Sequence, residues 1–322
     1  MAKHPLYSVF KQKPRSRDLA PINESDVLRS TSASTHFAKM GCLILAGGRG
    51  TRLGFEGPKG CIEIPLNEKK TLFQILFEKI LKKGEDLPVA IMTSPLNHDE
   101  TFKYLEENHY FGLKNVSLFT QEMIPVCDDE GNLIDDVQSP DGNGKAFQNL
   151  VRSKIWEGWK AQGIEFVQVV PIDNPKADPF DGELLNVHET EGVELVLRGI
   201  ERTSKDEKLG VIGTEKGKLG VLEYSELTEK SKDLGFTLGN SGVFSVSSEF
   251  IERVAPLDLP FHLAQKIEKG RSVWKFETFI FDLFCHANSF KILISDRKKC
   301  FAPLKNRSGP DSLESVTKAL MT

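Results

Sequence analysis

Over the first half of the chain, short apolar runs alternate with stretches of helical spacing. Met40-Gly-Cys-Leu-Ile-Leu-Ala46 is a continuous apolar run that ends in glycines, the pattern of a buried parallel strand delivering a loop at its carboxyl end. In residues 71–83 the apolar positions Leu72, Ile75, Leu76 and Ile80, with the stem of Lys79, share a helical face. Lysines gather at the end of that stretch and Gly84 follows, a helix stop. Residues 88–93 read as a strand, 99–108 as a helix, 116–119 as extended and 146–160 as a helix with Trp156 and Trp159 in the core. Residues 165–170 form another apolar strand, broken at Pro171-Ile-Asp-Asn-Pro175. Alternation of this kind implies an α/β sandwich with a largely parallel sheet, whose ligands sit beyond the carboxyl ends of the strands. Both sharp loops, after Ala46 and after Ile172, begin there.

From about Gly192 the runs shorten. Residues 193–198, 209–213 and 219–224, with turns near Gly199 and at Lys216-Gly217-Lys218, predict antiparallel hairpins in or beside the main sheet. Residues 275–287, KFETFIFDLFCHA, predict a helix whose Phe276, Phe279, Phe281 and Phe284 pack inward, and KILISD predicts a last strand. Residues 1–37 are polar and read as an extension or short helical arm.

Composition narrows the classes. In 322 residues, 39% are hydrophobic and 27% charged, ordinary for a chain with a real core. The formal charge of -4 supplies no global basic field for nucleic acid or anionic lipid. Five scattered cysteines without a CxxC pair suit a reducing cytoplasm and give no zinc framework. Neither an apolar signal segment nor a run of membrane-spanning length occurs, so a cytoplasmic location is expected.

The chemistry concentrates in Leu45-Ala-Gly-Gly-Arg-Gly-Thr-Arg-Leu-Gly54 and Pro58-Lys59-Gly60. Gly47, Gly48 and Gly50 let backbone amides approach a phosphate chain, and Arg49, Arg52 and Lys59 add cationic donors. A P-loop would need Gly before its Lys and Ser or Thr after it; Lys59 lies between Pro58 and Gly60.

LAGGRGTRLG…PKG resembles the start of the eukaryotic-type UDP-sugar pyrophosphorylases, and later segments resemble the UDP-N-acetylglucosamine pyrophosphorylase branch in the same order. These are MTS at 92–94, EENHYFGL at 106–113, FTQEMIP at 119–125, SPDGNG at 139–144 and the ID-N of 172–174. LEYSE at 222–226, LGN at 238–240, KFETFIFD at 275–282 and PLKN at 303–306 complete the set. The resemblance covers roughly residues 41–306 and implies a Rossmann-like, GT-A-like nucleotidyltransferase sandwich with a mixed, largely parallel sheet. It implies an arm over 1–37, a catalytic domain over 38–265 and a C-terminal segment over 266–322 that completes the sugar-phosphate side. Family members of eukaryotic type are longer at both ends, so a reduced, mainly catalytic version is the expectation.

The resemblance also assigns roles. Ala46, Gly47 and Gly48 would face the nucleotide, with Arg52 and Lys59 on the triphosphate. Gln121 would read the uracil edge, and Pro140, Gly142 and Asn143 would lie against base and ribose. Asp173 would coordinate Mg²⁺. Gly210, Glu223 and Asn240 would meet the sugar, while Lys275 and Lys305 would neutralise phosphate. Read alone, Gln121 is a surface amide, Asp173 a turn residue, Lys275 and Lys305 solvated lysines, and His262 in LPFHLAQK a structural histidine. Three positions depart from the family pattern: Lys145 after PDGNG, Thr237, and Ser241 after Asn240.

The implied reaction is attack of a sugar-1-phosphate oxygen on the α-phosphorus of UTP, releasing pyrophosphate. N-acetylglucosamine-1-phosphate is the first expectation and glucose-1-phosphate the second. A UDP-sugar-dependent glycosyltransferase is disfavoured because no Asp-x-Asp occurs. A catalytically silent UDP-sugar-binding regulator is disfavoured by the retained Arg52, Lys59, Asp173, Lys275 and Lys305. No nucleic acid or membrane partner is expected, and no oligomeric state is specified.

Overall fold

Strands that alternate side chains between two apolar layers make the framework. In Met40–Leu45, Cys42 and Ile44 enter the core on one side of the sheet while Leu43 enters the core on the other. Val89 and Ile91 against Ala90 and Met92 repeat that division in Val89–Thr93. Helices Leu72–Leu81 and Gly182–Glu191 cover the first core; Ala146–Arg152, Lys154–Ala161 and Ser248–Val254 cover the second. The computed structural model describes residues 6–11, 17–204, 207, 209–223, 226–268 and 271–322; Tyr224 and Ser225 of the LEYSE segment lie outside them.

The main sheet runs, edge to edge, Val27–Leu28, Phe290–Ser295, Leu195–Glu201, Leu238–Ser247, Phe166–Pro171, Met40–Leu45, Val89–Thr93 and Val116–Thr120. Along this path Leu238–Ser247 is antiparallel to both neighbours and the other pairings are parallel. The hairpin of Val211–Glu215 and Lys218–Leu222 hangs from Leu238–Ser247 at Val211↔Gly239. The mixed, mostly parallel α/β sheet agrees with the sequence reading.

A second, four-stranded antiparallel sheet orders His262–Glu268, Arg271–Glu277, Met123–Cys127 and Leu133–Pro140. The sequence pattern did not resolve it. Helix Leu6–Lys11 packs on this sheet through Leu6, Val9 and Phe10, with the Phe10 and Trp274 rings edge-on at 5.9 Å.

Three local expectations are corrected. Residues 275–287 are not one helix: the strand Arg271–Glu277 is followed by a 3-10 helix, Ile280–His286. The phenylalanine spacing is ambiguous, and a partner strand at His262–Glu268 decides it by pairing Ala264 with Lys275. Residues 146–160 form two helices, because Ser153 is extended (φ -82°, ψ 154°) and its hydroxyl donates to the Leu150 carbonyl at 2.6 Å. Gly199 is not in a turn; it lies within Leu195–Glu201, where the pairing register shifts between Leu197 and Gly199.

Candidate functional site

Four adjacent parallel strands end in one row. Leu45 is level with Pro171 and with Met92, and Thr93 with Thr120. The chain beyond each end therefore delivers, side by side, Asp173, the glycine-rich loop, Ser94 to Asn97, and Gln121. The antiparallel strand Leu238–Ser247 runs the other way, so its beginning, Leu238 to Asn240, reaches the same edge. This is where a doubly wound sheet holds its ligands.

The loop folds back on itself. Gly50 N–H donates to Gly57 O at 2.9 Å, and Lys59 N–H to Gly48 O at 3.1 Å. Asn97 pins it to the sheet: its amide nitrogen donates to Ala46 O (2.9 Å) and Gly48 O (3.1 Å), while its oxygen accepts from Ser94 N–H. Gly47 lies so close to Gln121 that an added Cβ would stand 2.7 Å from its Oε1; Gly48 faces open space. Gln121 is buried, with its N–H on Thr93 O, so it is no free surface amide.

Lys59 Nζ lies 3.0 Å from Asp173 Oδ2, and both side chains are about one-fifth exposed (19% and 22%). Arg49 turns away to the Leu96 carbonyl (2.7 Å) and Glu100 (3.0 Å). Arg52 is exposed, and its carbonyl accepts from Arg307 Nε at 3.1 Å. The turn after Asp173 is clamped from the helix Leu72–Leu81 and its end. Lys79 donates to Pro175 O and Ala177 O at 2.7 Å, and Lys83 binds Asp178, Pro179 O and Phe180 O. Burial draws the Lys79 pKa down to about 8.

Pro140 ends the strand Leu133–Pro140, opposite Met123. Gly142 follows with φ +88°, and a Cβ there would run into the Thr278 carbonyl, so the PDGNG turn needs a glycine at this point. Asn143 Oδ1 accepts from Ile280 N–H at 3.0 Å. Lys145 lies 2.7 Å from Glu122 Oε2 and 3.3 Å from Oδ2 of the fully buried Asp141. This departure from the family pattern supplies a cation to Asp141, whose pKa burial raises. Lys275 is buried on the small sheet, three residues before Thr278, whose N–H donates to Asp141 O at 2.8 Å.

On the other flank, Asn240 is buried, its N–H on Gly210 O (2.8 Å) and its Oδ1 accepting from Gly242 N–H (2.8 Å). Ser241 donates to Arg198 O at 2.6 Å. Desolvation by its surroundings and nearby Glu226 raise the Glu223 pKa, although the residue keeps an exposed surface, while Lys305 and His262 oppose them, so these four groups share one field. Lys305 is exposed, with Nζ 5.8 Å from the centre of the Phe301 ring. The C-terminal segment is tied to the turn after Ile172 by Leu304 N–H on Asp173 O (2.8 Å). Asn174 adds Nδ2 to Cys300 O (2.8 Å) and Oδ1 from Ala302 N–H (3.0 Å).

A family model described as UTP–glucose-1-phosphate uridylyltransferase matches residues 9–317. The chain belongs to this family. It is 34% identical over 309 residues to the UDP-N-acetylglucosamine pyrophosphorylase of Saccharomyces cerevisiae, covering 83% of this chain and 64% of the yeast protein. The chain thus spans less than two thirds of that relative's length. A solved UDP-N-acetylglucosamine pyrophosphorylase from Trypanosoma brucei, in complex with inhibitor, superposes with a TM-score of 0.78. It is 30% identical and covers 89% of this chain and 66% of its own. A candidate enzyme of the same name from Entamoeba histolytica gives 0.81 at 28% identity, over 88% and 80% of the two chains.

Sequence reading missed Asn97, the loop-clamping role of Lys79 and Lys83, and a network around His262. An Asn shortly after a strand end is the one signal that pointed to Asn97; Lys79 read only as a packing stem and Lys83 as part of a helix stop.

Proposed function

We propose that the chain is a uridylyltransferase that makes a UDP-sugar and pyrophosphate from UTP and a sugar-1-phosphate. The observation that carries the reading is the Lys59–Asp173 pair set against the glycine-rich loop at the row of parallel strand ends. A phosphate chain needs closely approaching amides and cations on one side and a carboxylate for its counter-cation on the other, and these residues supply both. N-acetylglucosamine-1-phosphate is the proposed sugar substrate, in keeping with the relatives' names.

The attacking sugar-phosphate oxygen is already anionic, so the chain's task is alignment and charge neutralisation rather than base catalysis. Gln121 would present its amide to the uracil edge, held at depth by packing against Gly47. Arg52 and Lys59 would take triphosphate oxygens and follow the charge that builds on the leaving pyrophosphate. Lys275 and Lys305 would take the sugar phosphate, and Glu223 and Asn240 the sugar hydroxyls. Asn240 has its amide nitrogen for this, since its oxygen is engaged. Asp173 would hold Mg²⁺. Among the described residues no three metal-ligating side chains cluster, which fits an ion held by one carboxylate together with substrate phosphates. When bound, the ion neutralises phosphate charge.

Purified protein given Mg²⁺, UTP and a panel of sugar-1-phosphates is expected to release pyrophosphate, most rapidly with N-acetylglucosamine-1-phosphate. Retained UTP binding without release across the panel would overturn the enzymatic reading.

A further inference from the structure

We propose that His262 is a positioning residue for the sugar side of the site, holding Glu223 in place through the carboxylate of Glu226. The inference rests on the uridylyltransferase reading, in which Glu223 meets sugar hydroxyls.

The contacts form a chain. His262 Nδ1 lies 3.2 Å from Glu226 Oε1, and the other oxygen of that carboxylate accepts the Glu223 N–H at 3.1 Å. Glu226 N–H returns to Glu223 O at 2.9 Å. At the opposite end of the ring, Nε2 lies 2.7 Å from Oδ2 of Asp282, a carboxylate whose side chain is 9% exposed. Arg17 approaches the other oxygen of Asp282 at 3.6 Å and also binds Glu215 of the hairpin. The imidazole packs on Phe279 with centroids 4.5 Å apart.

A ring with carboxylates at both nitrogens donates at both ends only as the cation. Burial alone would lower its pKa, but the bonds to Asp282 and Glu226 prevail and hold it up at about 9. The ring is therefore anchored on the 3-10 helix Ile280–His286 and reaches across from the strand His262–Glu268 to the end of the hairpin. Fixing Glu226 fixes the Glu223 main chain, while the Glu223 side chain stays exposed for a ligand. Without the imidazolium, Glu226 and Glu223 would repel each other, with Arg17 near Glu226 and Lys305 near Glu223 as the remaining compensating cations among the described contacts. None of these side-chain contacts reaches the glycine-rich loop or Gln121, and the link from this 3-10 helix to the nucleotide side, Ile280 N–H to Asn143 Oδ1, is made by the helix main chain and not by the ring. The effect should therefore appear on the sugar and not on the nucleotide.

The test compares His262→Gln and His262→Asn by steady-state pyrophosphate release with Mg²⁺, UTP and N-acetylglucosamine-1-phosphate. Glutamine can replace the donor toward Asp282 but not the one toward Glu226; asparagine keeps a donor near Nδ1. His262→Gln is expected to raise KM for the sugar-1-phosphate about tenfold, the size of one lost charged hydrogen bond. KM for UTP should stay the same, and His262→Asn should recover most of the loss. An unchanged sugar KM in His262→Gln would mean that Glu223 is held without it. A parallel loss of UTP affinity that asparagine does not rescue would mean that the histidine only maintains the fold. Either result overturns the proposal. Should His262→Gln fail to fold, Glu226→Gln carries the same comparison, with a sugar-selective rise in KM expected and an equal loss for UTP overturning it. Wild-type protein that releases no pyrophosphate from any sugar-1-phosphate overturns the uridylyltransferase reading itself, and this inference with it.

Discussion

At the scale of single residues, the Lys59–Asp173 pair at 3.0 Å holds two groups with opposite assignments, one for phosphate and one for a cation. A partly exposed pair of this kind contributes little to stability, about 0–1 kcal/mol. On the proposed reading, its members exchange partners when the triphosphate binds, at little cost to the fold. Lys59→Ala is expected to lower kcat by about 10²–10³ with a nearly unchanged melting temperature, the signature of lost charge stabilisation in the transition state. A variant of full activity would remove Lys59 from the phosphate site. The glycines and Pro58-Lys59 could be singled out because they are local to the loop. The contacts of Arg49 could not. Its diversion to Leu96 and Glu100 depends on a helix that begins only at His98.

At the scale of elements, the site is a meeting of strand ends with segments brought from elsewhere. Alternation of apolar runs and helical stretches made the parallel strands readable, since burial on both faces leaves continuous apolar sequence. The small sheet was opaque because strands such as His262–Glu268 are half polar, and because Arg271–Glu277 also pairs with the distant Met123–Cys127. The C-terminal segment was recognisable only by resemblance, and Asn174 explains how it is attached. Asn174 is fully buried and makes two side-chain hydrogen bonds to residues 300–302. Asn174→Ala is expected to cost about 1–3 kcal/mol, the usual penalty for leaving buried backbone groups unpaired. Hydrogen exchange should show faster amide exchange across 302–307 while helix Leu72–Leu81 stays protected. Uniform protection would show that the segment is held by other contacts.

At the scale of the whole molecule, two histidines give the fold opposite responses to pH. His188 is buried between the Val193 carbonyl and the Ser245 hydroxyl, 2.7 Å from each, and stacks on Phe166; burial pulls its pKa down to about 4. The unfolded chain binds that proton near 6.5, so stability falls as pH drops from about 6.5 to 4. His262, with its pKa up at about 9, contributes stability that is complete below about 6.5 and is lost as pH rises through 9. Urea unfolding of wild type and His188→Gln across pH 4–6.5 should show a shallower slope in the variant. Equal slopes would place the titration elsewhere. Among the described residues, no helix is long and apolar enough to cross a membrane.

The sequence alone determined the alternating α/β plan, the glycine-rich loop after the strand Met40–Leu45 and the family, because burial pattern and loop chemistry are written in neighbouring residues. Tertiary structure alone decided that residues 271–277 pair as a strand, that Lys79 and Lys83 clamp the turn after Asp173, and that His262 stands between two carboxylates. Each of those outcomes depends on a partner outside the residue's own local stretch, from a neighbouring strand to a turn about 95 residues away, and local spacing carries no information about which backbone or charge will arrive.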